Sequence, residues 1–123
     1  MAIYQLNILT SAAGAWSQTI APKAGKFTQY RYVPHGTSPL DTGADLDVVG
    51  AQSGFVYVNQ DNIGTSAFQK LPRYATADET GAASLFAAGG EPVEGVMSVA
   101  EPLTATIASG GNALKGTLYI WID

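Results

Sequence analysis

Asp41-Thr42-Gly43-Ala44-Asp45 is the segment of this chain whose residue types could most directly do chemistry. An aspartate in such a turn can be one half of a carboxylate dyad. Two carboxylates about 3 Å apart cannot both ionise, so they share a proton and divide acid and base work on a peptide bond. The chain would supply Asp41 once, and a dyad would need a second copy. The flanking residues favour a simpler reading. Pro39 has no N–H to give to a sheet ladder, which makes the approach to Asp41 a poor inner strand. Asp, Thr and Gly are also turn residues, Asp because its side chain bonds nearby backbone N–H groups and Gly because it tolerates positive φ. The expected structure is a turn that opens a strand, with Leu46 and Val48 on one face and Asp45 and Asp47 on the other. Those two acids could attract a calcium ion. Hard cations want about six oxygens or more, however, and beyond Asp41 no other acid is close in sequence. A solvated face is expected, with no metal site.

The other candidates are thinner. His35 is the one histidine, and it lies between Pro34 and Gly36. A Ser-His-Asp triad would have to use it, and no G-x-S-x-G turn is present. A single His without Cys cannot build a usual zinc site. Gly89-Gly90 and Gly110-Gly111 lack the pattern of phosphate-cradling loops. Tyr30, Tyr32 and Tyr57 would make a sugar-binding platform if exposed, although such tyrosines are as often core or interface. No catalytic residue, cofactor or small-molecule substrate is expected, and the chain is read as not an enzyme.

Composition narrows the classes further. Charged residues are 13% of the 123-residue chain, about half the usual share. Hydrophobic residues are 46%, too many for a disordered chain. There are no cysteines, hence no disulfide framework and no thiol chemistry. The net charge is −4 and the basic residues are scattered, so no stripe exists to neutralise a phosphate backbone and no nucleic-acid partner is expected. No segment is long and apolar enough for a membrane-spanning helix, and the N-terminus has no basic leader, so no membrane partner and synthesis in the cytoplasm are expected.

These residues must be positioned by strands, because helical periodicity is nearly absent. Runs of β-formers between turn residues predict strands near Ile3–Thr10, Ala15–Ile20, Phe27–Val33, Asp45–Val49, Gly54–Asn59, Val93–Val99, Leu103–Ala108 and Gly116–Ile122, with a short one near Ala67–Leu71. About eight antiparallel strands at this spacing predict one all-β domain over 1–123, a β-sandwich or jelly-roll, with 1–14 as an N-terminal arm or edge strand. Leu103 to Ile122 reads as two strands joined by a Gly-rich hairpin. The last strand is apolar on both faces, Leu118, Ile120 and Ile122 against Tyr119 and Trp121, so it is either central in the sandwich or turned toward another chain. Residues 62–94 read as a long loop, the kind that is usually functional. Leu85 and Phe86 within it, and Tyr119 and Trp121, are the expected contact residues.

Two resemblances bear on these motifs. Asp41 to Asp45 resembles the catalytic loop of retroviral aspartic proteases, which are small β-rich homodimers. The apolar pair that precedes that family's motif is missing, and the nearest match to its C-terminal segment, Ile107 to Gly116, has no Arg. A homodimeric protease using Asp41 is therefore the remote alternative. More of the chain, from Asp41 to Ile122, resembles a group of small virion proteins of tailed bacteriophages. The matching motifs are Leu71-Pro72-Arg73, Asp78 to Ala82, Pro92-Val93 and the closing Ile107 to Leu118. That resemblance implies a capsid decoration or cement protein in the phage head, self-associated as a homotrimer and bound to the major capsid protein. A neck, tail-connector or fibre component is the alternative.

Overall fold

The computed structural model describes residues 1–75, 80 and 94–123. Among the described residues the chain forms ten strands and no helix. They are β1 (Ala2–Leu9), β2 (Trp16–Ile20), β3 (Gly25–Pro34), β4 (Asp45–Gly50), β5 (Val56–Gln60), β6 (Phe68–Lys70), β7 (Arg73–Ala75), β8 (Glu94–Val99), β9 (Leu103–Ala108) and β10 (Lys115–Ile122). All pairings between strands are antiparallel, in two sheets. The larger runs β1-β10-β3-β8-β7, with β6 alongside β3, and the smaller runs β2-β9-β4-β5. The molecule is a two-sheet β-sandwich, as its alternating pattern predicts.

Alternation along each strand decides what lies between the sheets. From the larger sheet come Leu6 and Ile8, Phe27, Tyr30 and Tyr32, and Leu118, Ile120 and Ile122; from the smaller come Leu46 and Val48, Val58, and Leu103, Ala105 and Ile107. Phe27 keeps the inward face despite the odd offset to Tyr30 because the β3–β10 register slips by one residue between Trp121 and Ile122. A bulge of this kind absorbs an extra residue and turns the later side chains back to the same face.

The last strand is central, flanked by β1 and β3. The hairpin expected at Leu103–Ile122 does not form. β9 pairs with β2 and β4, whereas β10 pairs with β1 and β3, so residues 109–114 carry the chain from one sheet to the other. Both strands present an apolar face, and facing each other across the core buries both, where pairing side by side would leave one sheet short of a layer. The connection is tight. Ser109 and Ala113 adopt φ of 57° and 53°, and Gly111 one of 88°, in the left-handed region where only glycine is unstrained.

The long loop is also shorter than expected. Ile63 is buried and Gly64 accepts a 2.8 Å hydrogen bond from the Tyr32 hydroxyl. Phe68 packs on the rings of Tyr30 and Tyr32, and β7, which follows Leu71-Pro72, pairs with β8. Strand pairing thus continues to Ala75. Residues 76–79 and 81–93, including Leu85 and Phe86, lie outside the described residues.

Candidate functional site

The outer face of the larger sheet carries a contact-competent surface. On β10, Thr117, Tyr119 and Trp121 alternate with the buried Leu118 and Ile120, and so stand on the solvent side, half-buried. The Tyr119 and Trp121 rings are neighbours, 6.2 Å apart at 39°. Register fixes their surroundings. Ile3 lies opposite Trp121 and Gln5 opposite Tyr119 on β1, while Gln29 and Arg31 stand opposite the same two residues on β3. Gln69 on β6 lies opposite Arg31 and donates to the Gln29 carbonyl oxygen. Gln5 donates to Asn7 at 3.2 Å. The result is a flat patch of two aromatic rings and an exposed isoleucine within a frame of amides. Such a patch can bury apolar area and satisfy polar groups at its rim, the anatomy of a protein contact. Tyr119 and Trp121 are therefore brought together on an accessible face.

Other tyrosines are not available as a platform. Tyr30, Tyr32 and Tyr57 are buried, at 3%, 0% and 7% exposure. Their neighbours held the signal: Gln29 and Arg31 alternate with Tyr30 and Tyr32, and this polar pair takes the water side. Burial pushes the Tyr30 and Tyr32 hydroxyls up to about 12, with a hydrogen bond to Gln60 partly opposing this at Tyr30.

The Asp41 segment forms the turn expected of it. The Asp41 carbonyl accepts from Ala44 N at 3.0 Å, and Asp41 N donates to the Gly110 carbonyl at 3.0 Å. Its side chain packs beside Gly111, so the turn is docked on the β9–β10 connection. Asp45 accepts a 3.2 Å bond from Asn62 N, and Asp47 stands opposite Asn59 and Thr106. Among the described residues no three His, Cys, Asp or Glu side chains converge to hold a metal ion. His35 is exposed and its Nδ1 accepts from the backbone N–H groups of Thr37 and Ser38, which folds residues 35–38 into a local turn.

Sequence reasoning missed Glu101. Its carboxylate takes bonds from Gln52 N at 3.0 Å, Ser53 N at 2.8 Å, Ser53 Oγ at 2.6 Å and Tyr57 Oη at 3.2 Å. The Ser53 hydroxyl, followed by the Ser53 and Gln52 amides and Tyr57, holds it below the usual 4.5. An acid so held is an anion clamping the β4–β5 turn. Beside it opens an apolar cleft of about 440 Å³ lined by Phe55, Tyr57, Tyr74 and Met97, with Ser53 and Ser98 at its edge. No local motif could have announced it, because Glu101 meets its partners across 44 to 49 residues. Comparison with protein-family models and with curated proteins gives no match.

Proposed function

We propose that the protein is a structural component of a tailed-phage virion, a decoration protein that binds the outer surface of the capsid and stabilises the head. The observation that carries this is the Tyr119–Trp121 patch: two neighbouring half-exposed rings held by a central strand on a face of low charge. Rigid aromatics on a sheet lose little side-chain entropy on contact, and their buried area can raise the barrier to shell disassembly. The phage resemblance supplies the identity of the partner, the major capsid protein, and implies three-fold assembly of the shell-bound protein. A connector or fibre role would use the same patch within a ring or a shaft.

The test is co-sedimentation with capsids of the phage that encodes the chain. Trp121→Ala combined with Tyr119→Ala should weaken binding about 30-fold, the loss expected of a contact worth about 2 kcal/mol. The β-sheet circular dichroism should be retained, since neither ring faces the core. Unchanged binding would remove the patch from the contact, and no binding by the wild-type protein would remove the capsid reading itself.

A further inference from the structure

We propose that the free protein pairs with a second copy of itself through β1, antiparallel and centred on Leu6. Among the described residues β1 is the edge of the larger sheet and bonds only to β10. Along its other side the eight residues Ala-Ile-Tyr-Gln-Leu-Asn-Ile-Leu present the unpaired N–H and C=O groups of every second residue, without a charge or a proline. Natural edge strands are usually shortened, charged, bulged or covered, because a long bare edge is a template for another strand. Elsewhere this molecule obeys that habit: β7 has three residues and β2 and β5 have five each.

The side chains on this flank are also incompletely covered. Tyr4 on β1 and Trp16 and Ile20 on β2 point toward the core, yet each is only half-buried, because none of the described residues closes the sandwich on that side. On the outer face, Ile3 and Leu9 are 58% and 56% exposed.

The occupant follows from self-complementarity. A strand added antiparallel must keep inner residues opposite inner and outer opposite outer, since a one-residue slip exchanges the faces. With Leu6 opposite the partner's Leu6, Tyr4 meets the partner's Ile8 in the core layer. On the outside Ile3 meets the partner's Leu9, and Gln5 meets the partner's Asn7. From Ile3 to Leu9, apolar meets apolar and amide meets amide. Shifting the centre to Gln5 or Asn7 sets Ile3 against an amide, or Leu9 against one. A two-fold axis through Leu6 repeats each pair, giving a closed, isologous contact. The pairing belongs to the free protein, whereas three-fold assembly belongs to the shell-bound one, so either can fail without the other.

The chain has no cysteine, which allows a register-specific test. In the Ile3→Cys, Leu9→Cys double variant the two positions face each other across the axis, at a strand-pair separation that a disulfide spans. Mild oxidation should convert most of the double variant to a covalent dimer and little of either single variant. By light scattering on a size-exclusion column, the wild-type protein should have twice the mass of the 12.8 kDa chain, and Ile3→Lys with Leu9→Lys should halve it without loss of β-sheet circular dichroism. A monomeric or trimeric wild-type protein, or a double variant that cross-links no better than the single ones, would overturn the proposal. So would dimerisation that survives both lysines.

Discussion

Tyr30 and Tyr32 show how little a residue's type says about its use until its face is known. Both rings lie in the core, their hydroxyls pushed up to about 12 by burial. A phenol whose folded-state value is raised binds its proton more tightly when folded than when unfolded. Its contribution is complete below the ordinary value of 10.0 and is lost as pH rises from there through about 12. Ultraviolet titration should show at least two tyrosines ionising late, and denaturant midpoints should fall across that window. Glu101 works in the opposite sense. Its carboxylate is held low, so the contribution of the clamp is present above the usual 4.5 and is lost as pH falls through the lowered value. Glu101→Gln should lower the hydrogen-exchange protection factors of the Gln52 and Ser53 amides several-fold at neutral pH, and acidification through the lowered value should lower the same protection factors in the wild-type protein, each measured against the intrinsic rate at that pH. The buried tyrosines were legible in principle, from the polar residues that alternate with them. Glu101 was not, because nothing near it in sequence marks a carboxylate whose donors sit on a distant turn.

At the scale of elements, the strands themselves were largely legible, because period-two alternation is imposed by the core and written in the sequence. Leu103–Ala108 has the expected bounds, and the others differ by one or two residues at their ends. What was hidden was pairing. Leu103–Ala108 and Lys115–Ile122 look like a hairpin because a Gly-rich connector joins them, but such a connector can equally cross from sheet to sheet, and alternation alone does not say which. β7 was missed because a strand of three residues carries too little pattern. Turns around Asp41 and Gly64 depend on contact at a distance as well. Any Cβ at Gly64 would collide with the backbone carbonyl of Asp41, and a backbone atom cannot move aside as a flexible side chain can. Gly64→Ala should cost about 2–4 kcal/mol, the range for a backbone clash in a packed site, read as a lowered urea midpoint with an unchanged slope. Gly43→Ala, with open space around it, should cost far less and serves as the control.

As a whole molecule, the protein is a sandwich whose two flanks differ. One is closed by short strands and the Glu101 clamp; the other ends in the bare length of β1 and the half-covered rings of Tyr4 and Trp16. The broad outer face of Tyr119 and Trp121 adjoins that open flank, because β1 lies directly beside β10. Contacts with a shell and contacts with a second copy would thus use adjacent surfaces, one built from side chains and the other from backbone.

The pairing of β1 with β10 also sets an order of events. Ala2 lies opposite Ile122, so the first of these ten strands to leave the ribosome has its sheet neighbour in the last of them. Until residues 115–122 emerge, the larger sheet has no middle: β1 has no sheet partner, and β3 lacks the longer of its neighbours. Closing a loop of nearly the whole chain is slow, and strands brought together this way fold late and together. A nascent chain stalled ahead of β10 would leave β1, an uncharged strand, without its β10 partner for as long as the stall lasted. The yield of folded protein would then depend on how quickly β10 is delivered.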